Sequence, residues 1–406
     1  MLTATIRRRG RYASRAARPT LLTPTFLLVA LAELAYFTAD GILLPALPRY
    51  VTGPLGGGDV AVGVVIGAFS VSAFLLRSWA GIQADRRGRR ILMVAGASVF
   101  AVSVLGYSFA SSTELLVGMR LLTGAGEALF FVGALAANVD LAPPERRGEA
   151  ISFASLSLYI GIGAGPLIGE FLIDRFGFRA AWGASIALAG VAVVLSLSLP
   201  PMRPVEQAPS GERHRLIHPA GLLPGLILLA TIWGMGGFLA FVPLYAMDLG
   251  MAGSGLVLGL FSGIVVLIRS VGARIPDRVG PGRTTRVSLV LSTVGLATIG
   301  LWQQPIGLVV GAAVLGVGVA LFTPSLFTLA VEGVPSGERG AVMGTTSAFL
   351  DLAFGLGPAT LGFVAAGVGR SGTFLVGAAV AAMGFALVLA TGLGHRTDPT
   401  SSEPGP

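Results

Sequence analysis

The polar and apolar positions of this chain fall into blocks: long apolar runs, each close to the roughly 20 residues that cross a bilayer as a helix, are separated by short polar breaks. Twelve such runs are predicted as helical spans, near 24–47, 60–80, 91–110, 114–139, 149–173, 180–200, 220–245, 253–273, 287–303, 305–331, 340–366 and 371–393. Residues 201–219, with Pro201, Pro204, Pro209 and several charges, interrupt the series at its midpoint. The expected organisation is a basic N-terminal segment (1–23), a six-helix bundle (24–200), a central cytoplasmic loop (201–219), a second six-helix bundle (220–393) and a disordered cytoplasmic tail (394–406). The arginines from Arg7 to Arg18 imitate the start of a secretory leader, but the run behind them contains Glu33 and Asp40 and lacks a small-residue cleavage site, so it is read as an uncleaved first span.

Sliding the chain over itself by 192 residues aligns its halves without a gap over several stretches. Gly67/Gly259, Phe69/Phe261, Ser70/Ser262, Arg77/Arg269, Ser78/Ser270, Asp85/Asp277, Arg86/Arg278 and Gly88/Gly280 are identical pairs, and the same offset matches Gly124/Gly316, Gly126/Gly318, Arg147/Arg339, Gly148/Gly340, Gly165/Gly357 and Pro166/Pro358. A constant offset that aligns charged loop positions as well as glycines predicts two homologous bundles. Parallel repeats of this kind meet at a pseudo-symmetric interface near the bilayer midplane, and rocking one against the other exposes that interface to each side in turn.

Composition narrows the class further. Of 406 residues, 53% are hydrophobic and 12% charged, and the mean hydropathy is +0.81, which excludes a soluble globular domain. Cysteine is absent, so disulfides, thiolate chemistry and Cys-ligated metal sites are excluded; His214, His218 and His395 all fall outside the spans. All 28 basic residues are Arg, which with the Ala and Gly excess reads as a high-GC bacterial coding bias. A cytoplasmic N-terminus places 21 of these arginines on the cytoplasmic side, leaves Arg77, Arg120 and Arg269 in or at the spans, and exposes Arg49, Arg175, Arg179 and Arg370 outside. The positive-inside rule favours that orientation, so the net charge of +8 is a topology signal rather than a nucleic-acid-binding one.

After the second span comes Gly81-Ile82-Gln83-Ala84-Asp85-Arg86-Arg87-Gly88-Arg89-Arg90, which resembles the loop signature G-x-L-A-D-R-x-G-R-R of the major facilitator superfamily, with Gln83 in place of Leu. A degenerate copy stands at Asp277-Arg278-Val279-Gly280. In the fourth span, Arg120 to Ala128 is similar to that family's R-x-x-x-G-x-G motif, and Gly161-Ile162-Gly163-Ala164-Gly165-Pro166-Leu167-Ile168-Gly169-Glu170 resembles the G-x-x-x-G-P-x-x-G-G motif of its drug and metabolite antiporters, with Glu170 replacing the last Gly. Pro45-Ala46-Leu47-Pro48 resembles the end of the first span in drug/proton antiporters. The resemblance implies a twelve-span, all-α polytopic fold of two pseudo-symmetric six-helix bundles. It also implies a cytoplasmic gate loop (Gly81, Asp85, Arg86, Gly88, Arg89, Arg90, Asp277, Arg278, Gly280) and an antiporter-type helix (Gly161, Gly165, Pro166, Gly169). Physically, Asp85 at a helix exit can pair with an Arg of its own loop or of a neighbouring helix end, and the fifth-span glycines at one-turn spacing permit close helix contact while Pro166 removes a backbone donor.

Charges inside spans are costly, about 2.5–3.5 kcal/mol each on insertion scales, and want a partner or a watery cavity. Glu33 and Asp40 are seven residues apart and share a helix face, as do Arg120 and Glu127. With the first and fourth spans antiparallel, Asp40 is expected to interact with Arg120 and Glu33 to lie near the depth of Glu127. Glu33, Asp40, Glu127 and Asp351 against Arg120 make a net-acidic inventory suited to lipophilic cations or amine-bearing compounds. The expected protein is a monomeric, proton-coupled exporter of small molecules in a bacterial inner membrane, with both termini cytoplasmic, contacts to lipid, no nucleic-acid partner, no metal and no cofactor beyond the coupling proton. A proton-driven uptake symporter would use the same architecture. An intramembrane enzyme would need a nucleophile, base or metal that the spans lack outside their carboxylates.

Overall fold

The computed structural model describes residues 21–143, 146–202, 218–271, 278–335 and 338–393; Asp277, the basic N-terminal segment, most of the central loop and the tail lie outside the described residues. Twelve helices run through them: α1 (Pro24–Thr52), α2 (Asp59–Arg87), α3 (Arg89–Tyr107), α4 (Thr113–Leu141), α5 (Arg147–Phe176), α6 (Phe178–Leu197), α7 (Pro219–Asp248), α8 (Gly255–Val271), α9 (Pro281–Leu301), α10 (Pro305–Ala330), α11 (Arg339–Val368) and α12 (Arg370–Thr391). Eleven are long and apolar enough to cross a membrane by themselves; α8, described over 17 residues, stops where the described chain breaks. This is a multi-pass, all-α membrane protein, as the apolar runs predict.

Local chemistry sets the helix ends. Thr23 Oγ1 accepts a hydrogen bond from the Phe26 amide at 3.2 Å, Ser112 Oγ does the same for Leu115 at 3.3 Å, and proline opens α1, α7, α9 and α10. Single glycines at positive φ separate α2 from α3 (Gly88, 93°), α5 from α6 (Gly177, 79°) and α11 from α12 (Gly369, 83°). A side chain is strained in that conformation, so these breaks need glycine. The family signature after the second span is therefore no loop: α2 continues to Arg87 and α3 begins at Arg89, with only Gly88 between. At 29 residues α2 is about 43 Å long, more than the ~30 Å hydrocarbon layer, so its polar last turns stand outside lipid while staying helical.

Small residues then set the packing. A methyl group added at Gly126 would lie 2.8 Å from Gly96 O on α3, and one at its repeat mate Gly318 would lie 2.9 Å from Ser288 O on α9, the mate of Gly96. Gly124 likewise meets Phe69 O, and Gly316 meets Phe261 O. The duplicated glycines thus hold duplicated helix contacts, which in lipid arise from close packing rather than from any apolar driving force. In the first bundle α1 packs on α5 and α6, and Tyr36 stacks on Phe130 with ring centroids 4.0 Å apart. In the second, α7 is buried against α11 and α12.

The bundles meet along two seams, α2 with α11 and α5 with α8. On one, a methyl at Gly67 would lie 2.6 Å from Gly355 O, and one at Gly355 would lie 3.2 Å from Ser70 Cβ. On the other, the repeat mates recur: Gly259 faces Gly163 O, and a methyl at Gly163 would lie 2.9 Å from Ser262 Cβ. The seams are related by the same pseudo-twofold that relates the sequence halves.

Candidate functional site

Midway along the first seam the guanidinium of Arg77 on α2 joins the two bundles. Its Nε lies 2.9 Å from Asp351 Oδ2 on α11, an ion pair too oblique to count as a hydrogen bond, and its Nη2 donates to Glu127 Oε2 on α4 at 3.5 Å. Its Cζ lies 4.8 Å from the centroid of the Phe131 ring. Asp351 is 7% exposed, so taking either partner away would leave a charge largely cut off from water.

Asp40 is half-buried and lies within electrostatic range of both Arg120 and Glu127, but it makes no hydrogen bond or ion pair among the described residues. The expected Asp40/Arg120 pair is not formed. Arg120 instead donates from Nε to Val65 O at 3.3 Å and from Nη1 to Tyr107 Oη at 3.5 Å, with its Cζ 4.7 Å from the Phe69 centroid; Tyr107 in turn bonds Thr123. Its charge is spread over neutral acceptors of its own bundle.

Glu33 is also displaced from its expected place. Its Oε1 accepts a hydrogen bond from Asn138 Nδ2 at 2.8 Å, three turns beyond Glu127 on α4, and the residue is 2% exposed. The seven-residue spacing correctly puts each pair of charges on one helix face. It carries no information on the register between α1 and α4, which the Tyr36–Phe130 stack fixes. Glu127 and Asp351 share Arg77, Asp40 lies within electrostatic range of Arg120, and Glu33 stands apart with Asn138. Arg77 is absent from the expected coupling residues, and its sequence signals were its place in or at a span and its identity with Arg269 across the repeat.

At the end carrying the helix termini, Arg89 is buried and gathers the signature residues: Nη1 donates to Asp85 Oδ1 at 2.8 Å and to Ala84 O at 2.6 Å, and Nε donates to Asp140 Oδ2 at 2.9 Å. Asp85, Arg86 and Arg278 are exposed, Arg90 and Gly81 half-buried, and Gly280 repeats the positive φ of Gly88 at 92°. The Asp85 contact stays within the first bundle. The antiporter-type glycines face α1: a methyl at Gly165 would lie 2.5 Å from Gly41 Cα, one at Gly161 2.5 Å from the Phe37 carbonyl carbon, and one at Gly169 2.7 Å from Ile42 O, with Pro166 buried beside them.

Polar contacts join the bundles at Arg77 and again farther along both seams, toward the starts of α2 and α8. There Glu170, the residue that departs from the family motif, caps α8: its carboxylate accepts from Ser254 N at 2.6 Å, Ser254 Oγ at 2.8 Å and Gly255 N at 2.8 Å. On the other seam Arg370 binds Asp59 of α2 at 2.9 Å and Asp248 of α7 at 2.7 Å. Both contacts lie at the end where α1 passes to α2 and α7 passes to α8. No three His, Asp or Glu side chains among the described residues converge as a metal would need.

Residues 29–306 and 271–406 match the family model described as Major Facilitator Superfamily. Over 381 residues the chain is 30% identical to an uncharacterized MFS-type transporter of Salmonella typhimurium, covering 90% of this chain and 95% of that protein. Over 394 residues it is 31% identical to an uncharacterized MFS-type transporter of Pseudomonas aeruginosa, with 93% and 95% covered. Among solved structures, a bacterial homolog to the human lysosomal transporter Spinster superposes with a TM-score of 0.75 at 14% identity, over 92% of this chain and 97% of that one.

Proposed function

The chain belongs to the major facilitator superfamily, and from that premise we propose that it is a proton-coupled exporter of small lipophilic molecules, working by alternating access in the inner membrane of a bacterial cell. In this reading it acts as a monomer among lipids, with both termini cytoplasmic, protons as coupling ion, no other cofactor, and neither a nucleic-acid partner nor a catalysed reaction. The arginine distribution supports the orientation. In that orientation the end held by Glu170 and Arg370 faces outward.

The observation that carries the reading is the Arg77 bridge between Glu127 of one bundle and Asp351 of the other. At an effective dielectric near 20 each close pair is worth about 4 kcal/mol of Coulomb energy, most of it offset by desolvation. A proton on Asp351 cancels the attraction across the first seam and leaves the guanidinium's desolvation cost, and a proton on Glu127 leaves Arg77 to Asp351 alone, so protonation changes how firmly the bundles hold together there. A proton taken up from outside and lost inside thus biases the same rocking motion that carries cargo outward. Coupling needs only that the two states bind protons and cargo unequally. Asp40, free of any ion pair, is the group placed to meet cargo or proton first.

The test uses proteoliposomes with an imposed pH gradient, an internal pH dye and a panel of lipophilic compounds. At least one compound is expected to drive proton movement opposite to its own. Movement of compound and proton in the same direction would instead establish uptake symport, and transport indifferent to the gradient would overturn coupling.

A further inference from the structure

The two arginines paired by the duplication occupy matching places on α2 and α8 but keep different company. Arg77 has Asp351 at 2.9 Å and Glu127 at 3.5 Å. The residue 192 positions before Asp351 is Tyr159, and Tyr159 is what Arg269 meets: its guanidinium carbon lies 4.8 Å from that ring's centroid. The residue 192 positions after Glu127 is the buried Val319. The second seam therefore keeps the arginine and replaces both of its acids with an aromatic and an aliphatic side chain. Among the described residues Arg269 makes no hydrogen bond or ion pair; its Nε is buried without a partner there, while its terminal nitrogens are not enclosed and the residue is only half-buried.

Arginine stays charged at any physiological pH. Within a membrane bundle it needs an anion or water, and a tyrosine face returns only about 0.5–2 kcal/mol. We propose that Arg269, backed by Tyr159, receives an oxyanion group of the transported molecule, a carboxylate or a group of like geometry, which stands where Asp351 stands at Arg77. The planar fork of the guanidinium suits two parallel hydrogen bonds to such a group. Cargo in place would then bridge the second seam as Asp351 bridges the first, so that loading makes the two seams electrostatically alike. The site rests on the transporter reading in one respect, that this seam lies on the path of the cargo.

Thermal unfolding of the purified protein with matched probes tests this: naphthoate and decanoate, each beside its amide and its amine. The carboxylates are expected to stabilise the wild type more than their amides or amines, and Arg269→Gln is expected to weaken apparent carboxylate affinity at least tenfold while Arg269→Lys retains part of it. If Arg269→Gln does not fold, Tyr159→Asp decides. It supplies the acid the second seam lacks, and should raise the stability of the empty protein and abolish the carboxylate response. No stabilisation by either carboxylate, equal stabilisation by amides or amines, or an unchanged carboxylate preference in Arg269→Gln or in Tyr159→Asp would overturn the site. Proton flux driven by amines alone would remove this site and leave the exporter; carboxylate binding that requires Arg269, without proton coupling, would do the reverse.

Discussion

Arg77 shows how much one side chain can decide when it stands between two bundles. Replacing Arg77 with Gln or Asp351 with Asn strands the other's charge, and each single change is expected to cost on the order of 1–3 kcal/mol of stability, less than a fully buried pair because Arg77 keeps 23% of its side chain exposed. The double variant should lose much less than the sum of the singles, and a thermal-unfolding double-mutant cycle reads this directly; additive losses would remove the bridge. Glu33 and Glu127 should separate sharply. Glu127→Gln keeps the shape but not the charge facing Arg77, so proton-driven transport should fall at least tenfold with expression intact. Glu33→Gln retains an oxygen to accept from Asn138 and touches no guanidinium, so proteoliposome transport should stay within about twofold of wild type. Equal loss in both would return Glu33 to the coupling site. The family motifs made the charged residues legible in the sequence. Their partners were not, because a partner is set by how helices distant in sequence are docked.

At the scale of the element, the fifth-span motif works as a surface fitted to α1. A methyl at Gly165 falls on backbone atoms of Gly41 and Ile42, which cannot move aside as a side chain would. Gly165→Ala is therefore expected to destabilise the first bundle by about 1–3 kcal/mol through overpacking. Gly183→Ala on α6 meets nothing within 4 Å and should gain roughly 0.5–1 kcal/mol from the lower backbone entropy of the unfolded chain. Equal effects in thermal unfolding would mean that glycine in these helices reflects composition rather than fit. The helices themselves were legible in the apolar runs. Their ends were not: α1 and α2 continue past hydrocarbon depth through polar residues that keep helical propensity, and only glycine at positive φ stops α2.

At the scale of the whole molecule, the two bundles are held together at one end by charged contacts on both seams. Glu170 at the start of α8 and Arg370 between Asp59 and Asp248 clasp the two seams at the same end, and opening that end must break both. Because the chain has no cysteine, Glu170→Cys with Ser254→Cys gives a clean reporter. A short bis-methanethiosulfonate, which joins the two cysteines through disulfides with loss of sulfinate, should arrest transport and a thiol reductant should restore it, whereas transport that continues across the cross-link would mean that this seam never opens. Glu170→Ala should act oppositely, increasing reagent access to the cavity from the clasped side.

What the sequence determined alone was everything that repeats or accumulates along the chain: the apolar runs, the 192-residue duplication and the family motifs. These are local or summed properties, and they survive whatever the helices do to one another. The tertiary structure alone decided that Arg77 bridges to Asp351 while Arg269 faces Tyr159, that Asp40 and Arg120 stay unpaired, and that Glu33 belongs with Asn138. A guanidinium chooses its partner over 3 or 4 Å, and at that range a shift of one helical turn between neighbouring helices exchanges one partner for another. Helical periodicity specifies a face, and only the packing of side chains such as Tyr36 on Phe130 specifies the turn.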